Sequence, residues 1–261
     1  VEQGESYGMR SIINTANVSA YQFNWFDTGH PEALEITRKA YLQTNAPNIL
    51  EKENEAIWFI GDSVVKYSDD RNFIANRVKR VSELKGFVPE IYSCRSNMYC
   101  YKKVEAEVLS NAITLPIFDK LMASCKDFWT EQNLDKEQQD EFKSNCLKFY
   151  KDKTFERIQL FYKNFDKSDG IELINGEEMP LLANLLNSID WEWMSRGLAG
   201  RFHGDFHFEN ILWSKDDEKF TFLDWRQDFA GDLSTGDIYY DLAKLMHGLI
   251  VNHGIIANDQ Y

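Results

Sequence analysis

The segment Arg201-Phe202-His203-Gly204-Asp205-Phe206-His207-Phe208-Glu209-Asn210-Ile211-Leu212 gathers two histidines, two carboxylates and an asparagine, then runs into an apolar stretch. Twelve residues past Leu212 stands Asp224, at the end of Phe220-Thr221-Phe222-Leu223. An Asp at the end of an apolar strand projects from a rigid element beyond the sheet edge. Phosphoryl transfer accounts for this spacing. Its loose, in-line transition state asks the protein for metal ligands on nucleotide phosphates, an oriented acceptor hydroxyl and little else. Asp205 is the catalytic candidate, accepting or orienting the acceptor proton. Asn210 and Asp224 are the candidate Mg²⁺ ligands, where the ion neutralises β- and γ-phosphate charge. A metal-dependent hydrolase is the rival reading, with His203, Asp205 and His207 as ligands on one strand face. The chain has only five His, and Gly204 and Asn210 favour a loop, both of which weigh against it.

Two groups of elements must hold these residues. Residues 56–60 and 63–67 read as strands joined by Gly61-Asp62, a hairpin signal. Residues 72–84 read as a helix, and 88–92 and 98–101 as further strands. From Thr114 onward the periodicity is helical over 115–129, 136–151, 154–164 and 180–195, with a last helix at 238–251. Between them, 208–213 and 220–225 are strand-like bursts joined by a charged turn. The expected fold is α+β and bilobal: a small antiparallel-sheet lobe with one helix, at 46–104, then a larger, mainly helical lobe at 105–261 that carries the catalytic and metal-binding motifs. Residues 1–45 stand apart as an N-terminal tail.

Asp205 and Asn210, with four residues between them, repeat the catalytic-loop spacing of protein kinases. More specifically, His203-Gly204-Asp205 through Asn210, followed by Leu223-Asp224-Trp225, resembles the H-G-D-x-x-x-x-N and I-D-W motifs of the aminoglycoside phosphotransferase and choline kinase superfamily. Gly236-Asp237-Ile238-Tyr239-Tyr240-Asp241-Leu242-Ala243 is similar to the D-x-x-x-D-L-A segment of those enzymes. Val64-Val65-Lys66 fits the small-lobe strand whose Lys grips the α- and β-phosphates. The resemblance spans roughly residues 48–251 and implies a protein-kinase-like fold, ATP or GTP as phosphoryl donor, and Mg²⁺. It implies that Lys66 binds the nucleotide, and the acceptor class it suggests is a sugar, amino sugar or amino alcohol. His203 then orients the catalytic loop, and Asp241 braces it.

Two features depart from the family pattern. The helix after Lys66 carries Asn76 where a Glu is expected to hold that Lys, with Glu83 as a substitute near the helix end. No Gly-rich phosphate loop precedes Ala56, since residues 48–54 contain no Gly. A catalytically weak, pseudokinase-like nucleotide-binding module is therefore a third reading. A second resemblance lies upstream: Trp25-Phe26-Asp27-Thr28-Gly29 is similar to the W-x-D-x-G element near the end of sugar-phosphate nucleotidyltransferase domains. It implies fusion to such a domain and a place in surface-polysaccharide precursor synthesis.

Composition bounds these readings. The 261 residues carry 29 Lys plus Arg against 42 Asp plus Glu, a net charge of −13. Such a balance argues against a nucleic-acid binder that neutralises phosphates with a broad basic face, though not against a nucleotide substrate. The acidic surplus leans towards a cationic acceptor. No apolar run is long enough to span a membrane, and residues 1–9 have no signal-peptide pattern. Four cysteines lack metal-site spacing and are expected to be buried or semi-buried thiols in a reducing cytoplasm. The missing initiator Met suggests a piece of a longer polypeptide.

Overall fold

A computed structural model describes residues 32–34, 36–37, 48–51, 54–251 and 256. The Trp25–Gly29 resemblance lies outside them. The chain divides into two compact units, 1–46 and 47–261. All candidate site residues belong to the second.

That unit opens with five antiparallel strands: β1 (Asn48–Glu51), β2 (Glu55–Ile60), β3 (Ser63–Ser68), β4 (Ile91–Arg95) and β5 (Met98–Lys102), in the order β1-β2-β3-β5-β4. Gly61 takes φ +55° in the β2–β3 turn, a left-handed conformation open to Gly at little cost. In β3 the side chains alternate, burying Val64, Lys66 and Ser68 on one face. Lys66 sits opposite Ile57 on β2 and Tyr99 on β5. A lysine on a buried strand face must find a negative partner. Residues 48–51, in the stretch that lacks a Gly-rich phosphate loop and carries no expected element, form β1 and pair with β2.

Helix α1 (Arg71–Arg80) crosses this sheet after Asp70, whose carboxylate accepts from Asn72 N at 2.8 Å and Phe73 N at 3.1 Å. These bonds satisfy amides that the first helical turn leaves open. Arg77, Lys79 and Arg80 fill its last turn, where the helix dipole favours cations. Arg80 is fully buried and donates to the carbonyls of Leu233 (2.9 Å), Phe202 (2.6 Å) and Arg226.

The rest is mainly helical. Short β6 (Glu107–Val108) leads into α2 (Leu109–Ala112), α3 (Leu115–Phe128) and α4 (Lys136–Leu147). The π-helical stretch Lys148–Asp152 joins α4 to α5 (Lys153–Phe165). A hairpin of β7 (Glu172–Ile174) and β8 (Glu177–Met179) follows, unforeseen in the sequence. The helix expected over 180–195 is two pieces, α6 (Leu182–Ser188) and α7 (Trp191–Met194). Asp190 divides them because its side chain caps Trp193 N at 2.8 Å and so starts a new helix. Strand β9 (Ala199–Gly200) pairs later with β12 (Gly236–Asp237). Residues 208–210, expected to begin a strand, form a 3₁₀ turn before β10 (Ile211–Ser214) and β11 (Lys219–Phe222). Helix α8 (Ile238–Ile250) comes last.

Aromatic rings fill the core beneath the β10–β11 hairpin. Phe206 and Phe222 lie 4.8 Å apart edge-on, and Phe128 meets Phe222 at 5.0 Å. Cys125 and Cys146 are buried thiols, Cys100 is half-buried, and Cys94 is exposed, against expectation. Among the described residues no helix is long and apolar enough to cross a membrane.

Removing the Arg80 fork should leave one buried and two partly buried carbonyls without this donor. Arg80→Met is expected to lower unfolding free energy by about 3–5 kcal/mol in a urea titration, and Arg80→Lys to recover only part of it.

Candidate active site

The chain between β9 and β10 is built around one buried carboxylate. Asp241, in the first turn of α8, accepts from His203 N at 2.6 Å and Gly204 N at 2.7 Å. Trp129 Nε1 adds a third donor at 3.1 Å. Burial pushes the Asp241 pKa up to about 6, against the pull of these donors. The loop needs Gly204: its φ is +92°, and an added Cβ would lie 2.4 Å from Arg226 Cβ.

His203 is fully buried, with its ring edge-on to Phe206 and Phe222. Its Nδ1 accepts from Asp205 N at 3.2 Å. Burial, helped by the nearby Arg80 charge, lowers its pKa to about 3, so the imidazole is neutral. His203 therefore faces the core and not the metal set of the hydrolase reading. Among the described residues no group of three His, Cys, Asp or Glu could hold a metal.

Past this anchor, Asp205 points into an open cleft. Lys244 Nζ, from α8, lies 2.9 Å from one carboxylate oxygen, and Asn210 Nδ2 donates to the other at 3.1 Å. Burial works to raise the Asp205 pKa, but His207 and Lys244 hold it well below the carboxylate range. His207 Nδ1 is 2.8 Å from Glu209, and the Asp205 side chain, with Glu209, raises its proton affinity. Asn210 is tied to the next strand through its carbonyl, which accepts from Leu223 N at 2.7 Å.

That bond delivers Asp224, in the left-handed region at φ +58°, a conformation Asp tolerates better than most side chains. Its carboxylate pairs with Lys66 and, at 3.1 Å, with Arg77 Nη1. Burial would raise the Asp224 pKa; the two cations hold it far below the usual range. Lys66 is lowered, first by its own burial and only partly compensated by Asp224. Trp225, buried behind Asp224, donates to Arg77 O at 3.0 Å.

Lys66, Asp205, Asn210 and Asp224 thus line one cavity of about 420 Å³ between the sheet and the catalytic-type loop. His203 and Asp241 lie behind it. The helix after Lys66 does not offer a carboxylate to it: Glu83 is exposed in the turn beyond α1, and α1 presents Arg77. Arg77 and Lys244 were missed in the sequence because Arg77 is one of several basic residues on its helix and Lys244, the lone lysine of a largely apolar helix, has no motif around it. An i, i+3 or i, i+4 search from Ile74 and Asp241 on the buried helix faces would have drawn attention to them.

For Mg²⁺ the donor chemistry fits. Asp224 is an ionised carboxylate, and Asn210 spends its amide nitrogen on Asp205, leaving its amide oxygen to accept.

Residues 163–259 match the model of the phosphotransferase enzyme family. The matched stretch contains Asp205, Asn210, Asp224 and Asp241; Lys66 lies upstream of it. No curated protein matches the chain. Among solved structures it is similar to an aminoglycoside phosphotransferase of Streptomyces rimosus, at 14% identity and TM-score 0.49, covering 87% of this chain and 86% of that one. A Plasmodium vivax ethanolamine kinase is 14% identical at TM-score 0.41, with 99% and 83% covered. The choline kinase LicA of Streptococcus pneumoniae is 13% identical at TM-score 0.41, with 87% and 77% covered.

Because the folded-state pKa of Asp224 is depressed, its pairing stabilises the fold fully above the unfolded value near 3.8 and is lost as pH falls through the folded one. The stability gap between the native chain and Asp224→Asn should therefore be widest near neutrality and shrink below about pH 4, read as urea midpoints across pH.

Proposed function

We propose that this chain is a small-molecule kinase that moves the γ-phosphoryl group of ATP or GTP onto a hydroxyl of a sugar, amino sugar or amino alcohol. The observation carrying this reading is the convergence of Lys66, Asp205, Asn210 and Asp224, from a strand, a loop and a second strand end, on one cavity. The family match over the segment holding three of the four supports it.

In this reading Lys66 binds the donor phosphates, held in place by Asp224. Asn210 and Asp224 hold Mg²⁺, which when bound supplies neutralising charge at the phosphates. Asp205 faces the acceptor hydroxyl. Its carboxylate is held low by His207 and Lys244, so it is a weak base at rest. Its task is first to orient the hydroxyl by accepting its hydrogen bond. It takes the proton late, which a loose transition state permits. Asn210 Nδ2, bonded to both the backbone and the side chain of Asp205, fixes the carboxylate rotamer. His203 and Asp241 keep the loop backbone rigid from behind, so little reorganisation is needed at reaction.

A nucleotide-binding module with weak turnover is favoured by one observation: Arg77 joins Lys66 on Asp224 where the resemblance leads to a helix Glu. Turnover separates the two.

Asp205→Asn is expected to lower kcat by about 10²–10⁴-fold while Mg²⁺–nucleotide binding survives. ³¹P NMR of product over a panel of sugars and amino alcohols reads the first, and calorimetric titration the second. Near-native turnover by the variant removes Asp205 from the chemistry. Asp224→Ala should abolish the Mg²⁺-dependent part of nucleotide-induced thermal stabilisation; if that part persists, Asp224 is not in the metal site.

A further inference from the structure

Outside the cavity, a second group of cations gathers around the loop that carries Asp205. Arg226, two residues past Asp224, runs its side chain across Gly204: a Cβ there would meet Arg226 Cβ at 2.4 Å and Cδ at 3.0 Å. The guanidinium ends 4.8 Å from the centre of the Phe149 ring. Lys153 Nζ lies 4.7 Å from the same ring. Phe149 is buried in the π-helical stretch, and Tyr240 packs edge-on against it at 4.9 Å. The Tyr240 ring centre is 5.8 Å from Lys244 Nζ, which contacts Asp205. Lys244 thus contacts Asp205 and Arg226 covers the neighbouring Gly204, with Lys153 joined to both through shared aromatic rings. Arg157, one turn along α5 from Lys153, is near enough to repel its charge.

Of these cations Lys244 is paired with Asp205, and the others are poorly neutralised. Among the described residues no ion pair is formed by Lys153, Arg157 or Arg226, and Arg226 Nε is buried without a hydrogen-bond partner. Asp228 is the carboxylate near enough to offset the Lys153 charge. Burial, then Arg226 and Arg157, push the Lys153 pKa down to about 8. Gathering like charges around a half-buried lysine costs free energy in any chain, and this one has a 13-charge acidic surplus from which to place carboxylates. None of these cations lines the cavity of Lys66 and Asp224, so the donor phosphates do not account for them.

We infer that the Arg226–Lys153–Lys244 cluster, with Arg157 at its rim, is a phosphate subsite beside Asp205, and that the acceptor hydroxyl belongs to a molecule already bearing a phosphate. A dianion suits three or four cations better than a single carboxylate does, and the planar guanidinium offers paired donors to phosphate oxygens. This replaces the expectation of a cationic acceptor drawn from net charge, because net charge does not locate charge. The inference rests on the phosphotransfer reading of Asp205 for what the subsite does, but not for its existence.

The test is calorimetric titration of the full chain with inorganic phosphate, in parallel with Mg²⁺–ATP, on the native protein and on Lys66→Met, Lys153→Met, Arg226→Met and Lys153→Arg. Phosphate binding is expected to survive Lys66→Met. It should weaken at least about ten-fold in Lys153→Met and in Arg226→Met, and recover in Lys153→Arg, while both Met variants retain Mg²⁺–ATP affinity. Circular dichroism confirms that each variant is folded, and Lys153→Met, on a half-exposed side chain, decides the case if Arg226→Met is not. In turnover, monophosphates of sugars or amino alcohols should be phosphorylated at least about ten-fold more efficiently than their neutral parents, a preference lost in Lys153→Met. Phosphate binding abolished by Lys66→Met but untouched by Lys153→Met overturns the subsite, as does equal use of neutral and phosphorylated acceptors. Loss of Mg²⁺–ATP binding in the native chain, with cluster-dependent phosphate binding intact, overturns the kinase reading and leaves the subsite standing.

Discussion

Two opposite buried charges hold the segment on which the site depends. Asp241 accepts the amides of His203 and Gly204, and Arg80 donates to the carbonyls of Phe202 and Arg226. The loop backbone is thus gripped from its N–H side by the last helix and from its C=O side by the helix of the small sheet. Backbone groups in so dry a place must be paired, and charged partners make stronger bonds than neutral ones. Arg80 is also close enough to Asp241 for each charge to favour the other. The clamp thereby adds a polar link between the sheet-borne part of the site and the helical part to the apolar core they share, where Tyr99 meets Trp225 and Phe87 meets Phe222.

On this support the site is a set of shared carboxylates. Asp224 serves Lys66 and Arg77; Asp205 serves Lys244, His207 and Asn210. In both, burial alone would favour the neutral acid, and neighbouring cations reverse the outcome. A cleft kept ionised in this way suits a reaction in which charge is moved and neutralised. A chain of net charge −13 nonetheless gathers cations locally: Lys66 and Arg77 line the cavity, while Arg226 and Lys153 share the Phe149 ring outside it and Lys244 pairs with Asp205.

The sequence made a good part of this legible. The small antiparallel sheet with one helix follows from period-two alternation and the Gly61-Asp62 turn, and the long helices follow from their 3.6-residue periodicity. Strand β1 was not visible, since four residues with no alternation acquire strand character only from β2 beside them. The break at Ile189–Asp190 was hidden because one side-chain cap decides it, not periodicity. The 3₁₀ turn at 208–210 reads as strand by continuity with the apolar run 211–213, but in the fold Asn210 bonds back to Asp205 across the turn.

By itself the sequence singled out the residues proposed to carry chemistry. Spacing within a loop and position at a strand end are local properties, and Asp205, Asn210 and Asp224 were found from them, while the supporting roles of His203 and Asp241 came from the family resemblance. What only the tertiary structure decided is which charges meet. The partner of Lys66 is Asp224, 158 residues away, with Arg77 as the third member where a helix carboxylate was sought. Arg226, Lys153 and Lys244, from a loop and two helices, become neighbours around Phe149 and Tyr240. Coulomb energies depend on distance and burial, and neither is written in a residue's type or in its place along the chain.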